Sequence, residues 1–582
     1  MNHDDNYWLR RARSNSLSRR TFLGGATAAG LGAASIGLVG CGDDNNSSKT
    51  ATPGASASAA GSASVAPSSA ASAAATLSAG KAGGTYTAAF TGPFAGADPH
   101  NSVYGGSGIV PEVYNYLVRD YIAFAPNPPA PATDGIIQDL AESQELQSDN
   151  VTWVFKIRPN VMIGANTQGV AVRALDSSDV LASWTRIKDP ASGSNGYAFA
   201  NQWIDKMDAP DASTFRMVMK APYAWTIANV GNNLIGAIVP KEWLQNANLK
   251  KATVGGGPFT LTELTEGDHA TMVKNPTYWR KDRPYLNQNI IRTFADQATY
   301  RTAFTAGQID AYGATNQDEA KQIVSGDKTI QYHHDKGISY NSFWMSTTSA
   351  PWTDGRVRDA VNMAIDRDQF IQIIGHGAGE PIGPITYAFE KYALSKDELS
   401  KAQPHDVANA KKLFQAAGVT EFTFAHPTSS NVSDYVNIFV KNMQDAGVTA
   451  KPQPLDAGTW VAQYYTNKLT ASLSLNQAYQ TPDFALQWYV TGGITGNNHY
   501  DTKYSVPEVD AAVKSAAGKL DDNERYQAYK DVQKLILSNH PPFVNFFGLY
   551  TDQLVAPYIH NYPFGIGSLG YAYQEDMWTD KA

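Results

Sequence analysis

Hydrophobic residues in the folded part of the chain recur with two periods, one typical of strands and one of helices. Residues 151–157 (VTWVFKI) alternate at period two, which predicts a half-buried strand followed by a turn at 158–160. Asp176 precedes apolar residues spaced three and four apart, and this predicts a capped helix that ends near residue 187. The same patterns predict strands at 84–90, 215–219 and 259–262 and helices at 109–119, 300–307, 354–374, 408–418, 435–447 and 523–538. Strands interleaved with helices predict an α/β fold with mixed sheets.

The first forty residues show neither period. Their charged residues form a basic head, and a weakly apolar stretch rich in Gly and Ala follows at 21–40. A basic head, a short apolar region and small residues before a cleavage point are typical of a signal peptide. The arginines of the head are Arg10, Arg11, Arg13, Arg19 and Arg20. We therefore predict that residues 1–40 are a signal peptide.

Two short motifs refine this prediction. Residues 18–23 (SRRTFL) resemble the twin-arginine export motif through Arg19 and Arg20, although Gly24 stands where lysine is frequent. Residues 38–41 (LVGC) resemble the bacterial lipobox, which implies a diacylglycerol on the sulfur of Cys41. A thiol suits this role because the acceptor must be a good nucleophile. The alternatives are a buried cysteine or a membrane-spanning segment, and residues 21–40 are poor in Leu, Ile and Phe for the latter.

Ser, Ala, Gly, Thr and Pro make up almost all of the stretch that follows Cys41. Such a composition cannot bury enough apolar surface to order itself. We predict that residues 41–83 are a lipidated flexible linker of ~40 residues, which can hold a domain several nanometres from a membrane.

Size and charge limit what the remaining ~500 residues can be. This length exceeds a single core, so two or three lobes are expected. The net charge of −8 becomes −11 without residues 1–40, because that segment carries five arginines and two aspartates. An acidic protein without a basic stripe is a poor nucleic-acid binder, and we expect no nucleic-acid partner.

Sequence signatures of catalysis and of cofactor binding are missing. Cys41 is the only cysteine, so neither an intramolecular disulfide nor a cysteine zinc cluster can form. No Gly-x-Ser-x-Gly elbow, His-Glu-x-x-His pair or phosphate-binding loop occurs. His333 and His334 are neighbours on a predicted strand and face opposite sides. Residues 565–570 (GIGSLG) match Gly-x-Gly-x-x-Gly, but too little chain follows for a dinucleotide unit. We predict no catalytic residues, no metal and no cofactor.

Four stretches, in order along residues 84–582, resemble the extracytoplasmic solute-binding proteins of the peptide/nickel type, solute-binding family 5. The first is 152–160 (TWVFKIRPN) with 179–184 (DVLASW), and the second is 256–261 (GGPFTL) with 274–279 (KNPTYW). The third is 351–367 and the fourth is 504–510 (YSVPEVD). Within them we expect Tyr278 and Trp279 to pack and Arg356 and Arg358 to form salt bridges on a helix face.

The resemblance implies a two-lobed type II periplasmic-binding-protein-like fold with a hinge. Lobe one would comprise residues 84–122, 254–338 and 553–582, with an inserted subdomain at 123–253. Lobe two would comprise residues 339–552. The chain would cross between the lobes near 339–341 and 548–550, and closure around a solute would be a hinge motion.

The resemblance also directs attention to residues 475–484 (LNQAYQTPDF). Peptide-binding members hold the α-amino group of the peptide with an aspartate four residues before a proline, and here Ala478 stands four residues before Pro482. An ammonium buried without a counter-ion is costly, so this segment does not favour standard capture of a peptide N-terminus. A shifted alignment would leave Asp483 as the acid. The candidate solute-binding residues are Asn101, Tyr104, Trp344, Tyr387, Phe389, Trp460, Asn476, Gln477, Tyr479 and Trp488.

These features predict extracytoplasmic capture of a small solute for an ABC importer. The solute we expect is an oligopeptide, delivered to a permease that an ATPase subunit energises, by a protein that is monomeric and anchored only through its lipid. A neutral oligosaccharide or other non-peptide solute is the alternative for the same transporter class. A secreted hydrolase and a surface receptor without transport are rivals from other classes.

Overall fold

The computed structural model describes nine stretches of the chain. They are residues 80–92, 97–101, 106–120, 136–232, 235–428, 432–478, 481–493, 502–564 and 574–581. The signal, the export motif at Arg19 and Arg20, Cys41, residues 42–79 of the predicted linker, Tyr104 and Tyr479 lie outside them, whereas residues 80–83 of the predicted linker lie inside.

Strands and helices interleave along the whole described chain. The strands are β1 (Thr85–Thr91), β2 (Val118–Asp120), β3 (Ile136–Gln138), β4 (Ala141–Leu146), β5 (Thr152–Ile157), β6 (Ile204–Asp211), β7 (Thr214–Met219), β8 (Phe259–Thr265), β9 (His269–Lys274), β10 (Gln288–Phe294), β11 (Ala311–Ala314), β12 (Gln331–Met345), β13 (Glu421–Pro427), β14 (Thr449–Leu455), β15 (Ala471–Ala478), β16 (Phe543–Val555), β17 (Ile559–His560) and β18 (Trp578–Thr579). The helices are α1 (Gly106–Val113), α2 (Ser177–Lys188), α3 (Tyr197–Trp203), α4 (Thr226–Val230), α5 (Gln297–Thr305), α6 (Gln317–Gly326), α7 (Gly355–Ala364), α8 (Arg367–Ile373), α9 (Lys396–Ala402), α10 (Val407–Ala416), α11 (Ser433–Asp445), α12 (Ala457–Tyr465), α13 (Pro482–Leu486), α14 (Pro507–Ala517) and α15 (Asp522–Ser538). The mixed α/β class predicted from the sequence is confirmed.

Two four-stranded sheets occupy the first half of the chain. One has the order β1-β10-β9-β8, with β1 parallel to β10 and the other pairs antiparallel. The other has the order β4-β5-β7-β6, and helix α2 packs against its β6–β7 side. In β5 the side chains of Trp153, Phe155 and Ile157 are buried and alternate with more exposed neighbours, as the period-two pattern predicts.

A six-stranded sheet of order β11-β16-β12-β15-β13-β14 joins the two ends of the molecule. Its central strands are unusually long, 15 residues in β12 and 13 in β16, and they pair antiparallel along most of their length. Strand β11 pairs with the C-terminal part of β16, whereas β15 pairs with the C-terminal half of β12. The N-terminal half of β12 and the C-terminal half of β16 therefore lie on the side of β11, whereas the other halves of the two strands lie on the side of β15.

Local capping signals decide where several helices begin. Asp176 accepts hydrogen bonds from the backbone N–H groups of Ser178 and Asp179 and forms a capping box with Asp179, as its position before an apolar stretch predicts. The helix predicted at 354–374 is wrong as a single element, since α7 ends at Ala364 and Asp366 caps α8 through the N–H of Gln369.

The helix predicted at 109–119 is also shorter than expected. Helix α1 ends at Val113, and Asn115 then forms an antiparallel bridge with Ile238, whose N–H donates to the Asn115 carbonyl at 2.7 Å. A partner more than 120 positions away in the sequence therefore replaces the helical hydrogen bonds of this stretch.

A buried ionic network ties the C-terminal segment to the first sheet region. Glu575 accepts from Arg119 at 3.2 Å, from the Tyr278 hydroxyl and from Arg280, and all of its surface is buried. Arg119 also donates to Asp139 at 2.9 Å. Burial of several charges is tolerated because each carboxylate has a cationic or hydroxyl partner. Tyr278 is thus a packing and hydrogen-bonding residue, as predicted.

Glu112 lies beside this network, and no cationic side chain of the described residues forms an ion pair with it. Its Oε1 accepts from the backbone N–H of Gln574 at 3.0 Å, and burial raises the pKa of its carboxyl from 4.5 to about 8. The carboxyl of Glu112 therefore loses its proton at a lower pH in the unfolded chain than in the folded protein. Its contribution to the free energy of unfolding falls as the pH rises from 4.5 to about 8. Replacing Glu112 with glutamine should remove this loss and stabilise the protein at pH 7 by about 1–3 kcal/mol.

Thermal unfolding at pH 5 and pH 8 checks this prediction. The melting temperature of the Glu112→Gln variant should fall less between the two pH values than that of the wild type. The exposed Glu142 offers a control, and Glu142→Gln should follow the wild type. Equal pH dependence in all three proteins would contradict the assignment.

Candidate functional site

Residues 222–230 reach across to the C-terminal half of the chain, and we call this contact the seam. The Tyr223 hydroxyl donates to Asp483 Oδ2 at 2.7 Å. The indole N–H of Trp225 donates to the Tyr529 hydroxyl at 2.7 Å, and that hydroxyl donates to Asp483 Oδ1 at 2.7 Å. The backbone N–H of Ala224 donates to the carbonyl of Ala517 at 3.0 Å. The seam therefore joins two parts of the molecule by specific polar contacts.

Asp483 is the electrostatic centre of the seam. It is 2% exposed, and each of its oxygens accepts from a tyrosine hydroxyl. Burial raises its pKa, and burial together with the nearby carboxylate raises the pKa values of Tyr223 and Tyr529 well above 10, so both phenols stay protonated donors. This engagement argues against Asp483 as a free acid for the ammonium of a solute.

A small pocket opens beside Asp483 at the seam. Its free volume of about 20 Å³ has room for about one water molecule. One wall comes from the 195–235 region and the other from residues 481–487. Gln487 is 6% exposed, its Nε2 lies 3.5 Å from Asp483, and its Oε1 accepts no hydrogen bond from the described residues. Solute pockets are typically 300–1,000 Å³ in volume, so this one is too small to enclose a solute.

Strands β12 and β16 change register near the middle of their paired length. Lys336 pairs with Tyr550, and Tyr340 pairs with Gly548. More residues of β12 than of β16 lie between these two pairs, so the register shifts. A second shift lies between Asn341 and Ser342. Irregular pairing in a two-stranded connection weakens the ladder locally and provides a place to bend.

Tyr387 covers this irregular stretch. Its hydroxyl donates to the Leu549 carbonyl at 2.9 Å, and its ring lies 5.6 Å from that of Tyr550. The Tyr387 ring lies directly against the backbone of Gly548, and a Cβ at position 548 would clash with the ring. Phe389 is buried in the same short 3-10 helix. Tyr387 therefore lies against β16, and Phe389 is buried two positions further along the chain.

The candidate tryptophans are largely packed in the interior. Trp344 is fully buried and meets Tyr464 edge to face, while Trp460 stacks on Tyr464 and donates to the Ser472 hydroxyl at 2.9 Å. These contacts gather Trp344 and Trp460 beside strand β15. Trp488 is 7% exposed and packs edge to face on Phe543.

The polar candidates within the described stretches lie in two places, beside His100 and on strand β15. Asn101 is half-buried, and its neighbour His100 is fixed by Ala237 and Arg186 at 2.8 Å each. Asn476 and Gln477 lie on β15, where Gln477 pairs with Tyr340 of β12. Ala478 pairs with Ser339, so the position of the missing acid adjoins the irregular stretch of β12.

Sequence reasoning missed Tyr223, Trp225 and Tyr529. A signal was available for the first two, because residues 222–225 (PYAW) place two large aromatic residues in a stretch without strand or helix period. The predicted salt bridges on a helix face form for Arg356 but not for Arg358. Arg356 pairs with Asp354, but Arg358 is buried and donates to the carbonyls of Trp352 and His540. His333 and His334 stack on different rings, those of Phe564 and Tyr550.

Within the described stretches no helix is long and apolar enough to cross a membrane. The same stretches contain no group of three or more His, Cys, Asp or Glu side chains placed to hold a metal ion.

Comparison with solved structures defines the class of protein. The periplasmic binding protein DppA of Helicobacter pylori, in complex with the peptide STSA, superposes with a TM-score of 0.73 at 20% identity, over 86% of this chain and 99% of its own. The fold is therefore the two-lobed type II periplasmic-binding fold, as predicted.

Sequence comparison then gives the family. Residues 135–497 match the bacterial extracellular solute-binding proteins, family 5, and the chain belongs to this family. Heme-binding protein A of Haemophilus influenzae is 23% identical over 70% of this chain and 77% of its own length. The glutathione-binding protein GsiB of Pectobacterium atrosepticum is 24% identical over 72% of this chain and 81% of its own. The family predicted from the four motifs is confirmed.

Proposed function

We propose that this chain captures an oligopeptide between its two lobes by hinge closure and delivers it to the permease of an ABC importer. The observation that carries the proposal is the pair of long strands β12 and β16, which connect the two ends of the molecule and lose register at the same level. Two peptide-like ligands among its relatives, glutathione and STSA, favour a peptide solute. A solute can drive closure only by binding the closed form better than the open form.

The sheet pairings support the division into lobes that we propose. Lobe one comprises residues 84–122, 254–338 and 553–582, with the 123–253 subdomain inserted in it, and lobe two comprises 339–552. Strand β11 pairs with the lobe-one part of β16, whereas β15 pairs with the lobe-two part of β12.

For the solute site we propose the cleft between the lobes near the end of β15. Asn101 and Tyr104 would contribute from lobe one, and Asn476, Gln477 and Tyr479 from lobe two. The buried Trp344, Tyr387, Phe389 and Trp488 and the partly buried Trp460 would shape the cleft from behind, because they already pack on protein neighbours.

The N-terminal region gives the proposed location. Export through Arg19 and Arg20, lipidation of Cys41 and a linker up to residue 83 would hold a monomer at the outer face of the cell membrane. The permease and the ATPase subunit would then be its partners, and no catalytic step by this chain is proposed.

A neutral oligosaccharide-like solute is the alternative, and Ala478 is the observation that favours it. Without the amine-binding acid, neutral hydrogen bonds from the Asn- and Gln-rich segment suit hydroxyl or amide groups. The heme-binding relative is named for a ligand that is not a peptide.

A thermal-shift screen of the purified protein against di- to pentapeptides and neutral oligosaccharides tests the function. A peptide at a hundred times its Kd should add about 2.7 kcal/mol to the stability and raise the melting temperature by a few degrees. Mass spectrometry of the recovered solute should show it unchanged, whereas a hydrolase would consume it. Stabilisation by oligosaccharides alone would favour the alternative, and no stabilisation by either library would contradict solute capture.

A further inference from the structure

The seam joins the inserted subdomain directly to lobe two. Residues 222–230 belong to the subdomain, whereas Asp483, Ala517 and Tyr529 belong to lobe two. Three hydrogen bonds cross this boundary, at 2.7, 2.7 and 3.0 Å. A hinge motion that separates the lobes has to break them.

Aromatic packing adds to these bonds. The Trp225 ring lies 5.4 Å from that of Tyr392 and 5.7 Å from that of Tyr529, and both partners are in lobe two. The guanidinium of Arg525 lies 5.8 Å from the Trp225 ring. Trp225 and Tyr529 are fully buried, so separation of the lobes would expose two large rings to water.

We propose that Tyr223 and Trp225 fasten the inserted subdomain to lobe two in the closed form, and so set the affinity for the solute without contacting it. The inference rests on the proposed hinge closure. Contacts made only in the closed form raise the closed fraction, and the apparent Kd equals the intrinsic Kd divided by that fraction. Contacts across the seam therefore favour the closed form and lower the apparent Kd for the solute.

Two tyrosine–aspartate hydrogen bonds of nearly equal length separate this role from a general effect on stability. Tyr223 donates to Asp483 across the seam at 2.7 Å, and Tyr558 donates to Asp310 within lobe one at 2.8 Å. Tyr223→Phe and Tyr558→Phe each remove one hydroxyl and keep the ring. Only the first change acts on the contact between the lobes.

Hydrogen exchange measured by mass spectrometry on the full mature chain without added solute tests the proposal. The Ala224 N–H, which donates across the seam, should be protected in the wild type. In Tyr223→Phe the 222–230 segment should exchange about five- to tenfold faster, whereas in Tyr558→Phe it should exchange at the wild-type rate. Trp225→Phe, which keeps a ring but loses the indole donor, should also accelerate the exchange.

Equal exchange of the 222–230 segment in the two tyrosine variants would overturn the proposal, and so would a wild-type segment without protection. If Tyr223→Phe raised exchange throughout the chain because it unfolds, the Trp225→Phe result would decide. The measurement needs no solute. A protected seam combined with a failed thermal-shift screen would therefore reject solute capture and leave the lobe contact established.

Discussion

Replacing Cys41 with serine should move the protein from the membrane fraction to the soluble extracytoplasmic fraction. Serine lacks the nucleophilic thiol that the lipid transfer needs, so the variant would carry no acyl chain. Two or more acyl chains hold a protein stably at a bilayer, whereas the described stretches offer no spanning helix to replace them. Cell fractionation with immunoblotting checks the shift, which should involve nearly all of the protein.

The export motif provides a control that separates anchoring from transport across the membrane. The double variant Arg19→Lys, Arg20→Lys should leave an unprocessed precursor in the cytoplasm, although its Cys41 is intact. The mass of the Cys41→Ser product shows in addition whether the 21–40 segment is still attached. Membrane retention of the cleaved Cys41→Ser protein would contradict the lipid as the anchor.

Elements set by short-range interactions were predictable from the sequence. The β5 strand and the Asp176-capped α2 helix depend on neighbours within four residues, and both lie close to where the patterns place them. The break between α7 and α8 also has a local cause, the Asp366 cap. The helical periodicity of 354–374 continues across that cap, and this is why one helix was expected.

Elements set by distant partners were not predictable from one sequence. The end of α1 depends on the bridge between Asn115 and Ile238, and the proposed hinge depends on the pairing of β12 with β16, about 200 positions apart. Hydrophobic periodicity shows that a strand exists but not which strand it pairs with. The crossing points near 339–341 and 548–550 came from the family resemblance.

The seam shows the same limit for functional residues. Asp483 attracted attention as a possible amine-binding acid, yet its environment depends on Tyr223, which lies 260 positions earlier. The burial and the hydrogen bonds that fix its protonation come from tertiary contacts that the sequence does not specify. Ala478, in contrast, could be singled out from the sequence alone, because what marks it is its spacing to Pro482. The structure adds that Ala478 pairs with Ser339 beside the irregular part of β12.

Replacing Ala478 with aspartate should create a preference for peptides with a free α-amino group. The new carboxylate would lie at the end of β15, next to the hinge, where closure would remove both charges from water. A paired ammonium in such a place is stabilised, whereas an unpaired one is costly, so affinity for free over N-acetylated peptides should rise about 10- to 100-fold. Calorimetric titration with matched free and N-acetylated peptides measures the ratio.

Ala478→Asn is the matched control, since asparagine has nearly the same size and hydrogen-bonding groups but no charge. It should leave the ratio between free and acetylated peptides within about twofold of the wild type, because a neutral amide does not neutralise an ammonium. An unchanged ratio in Ala478→Asp would show that residues 475–484 are aligned incorrectly with the peptide-binding members. A higher ratio in the aspartate variant alone would mean that the residue at position 478 sets whether a free α-amino group is recognised.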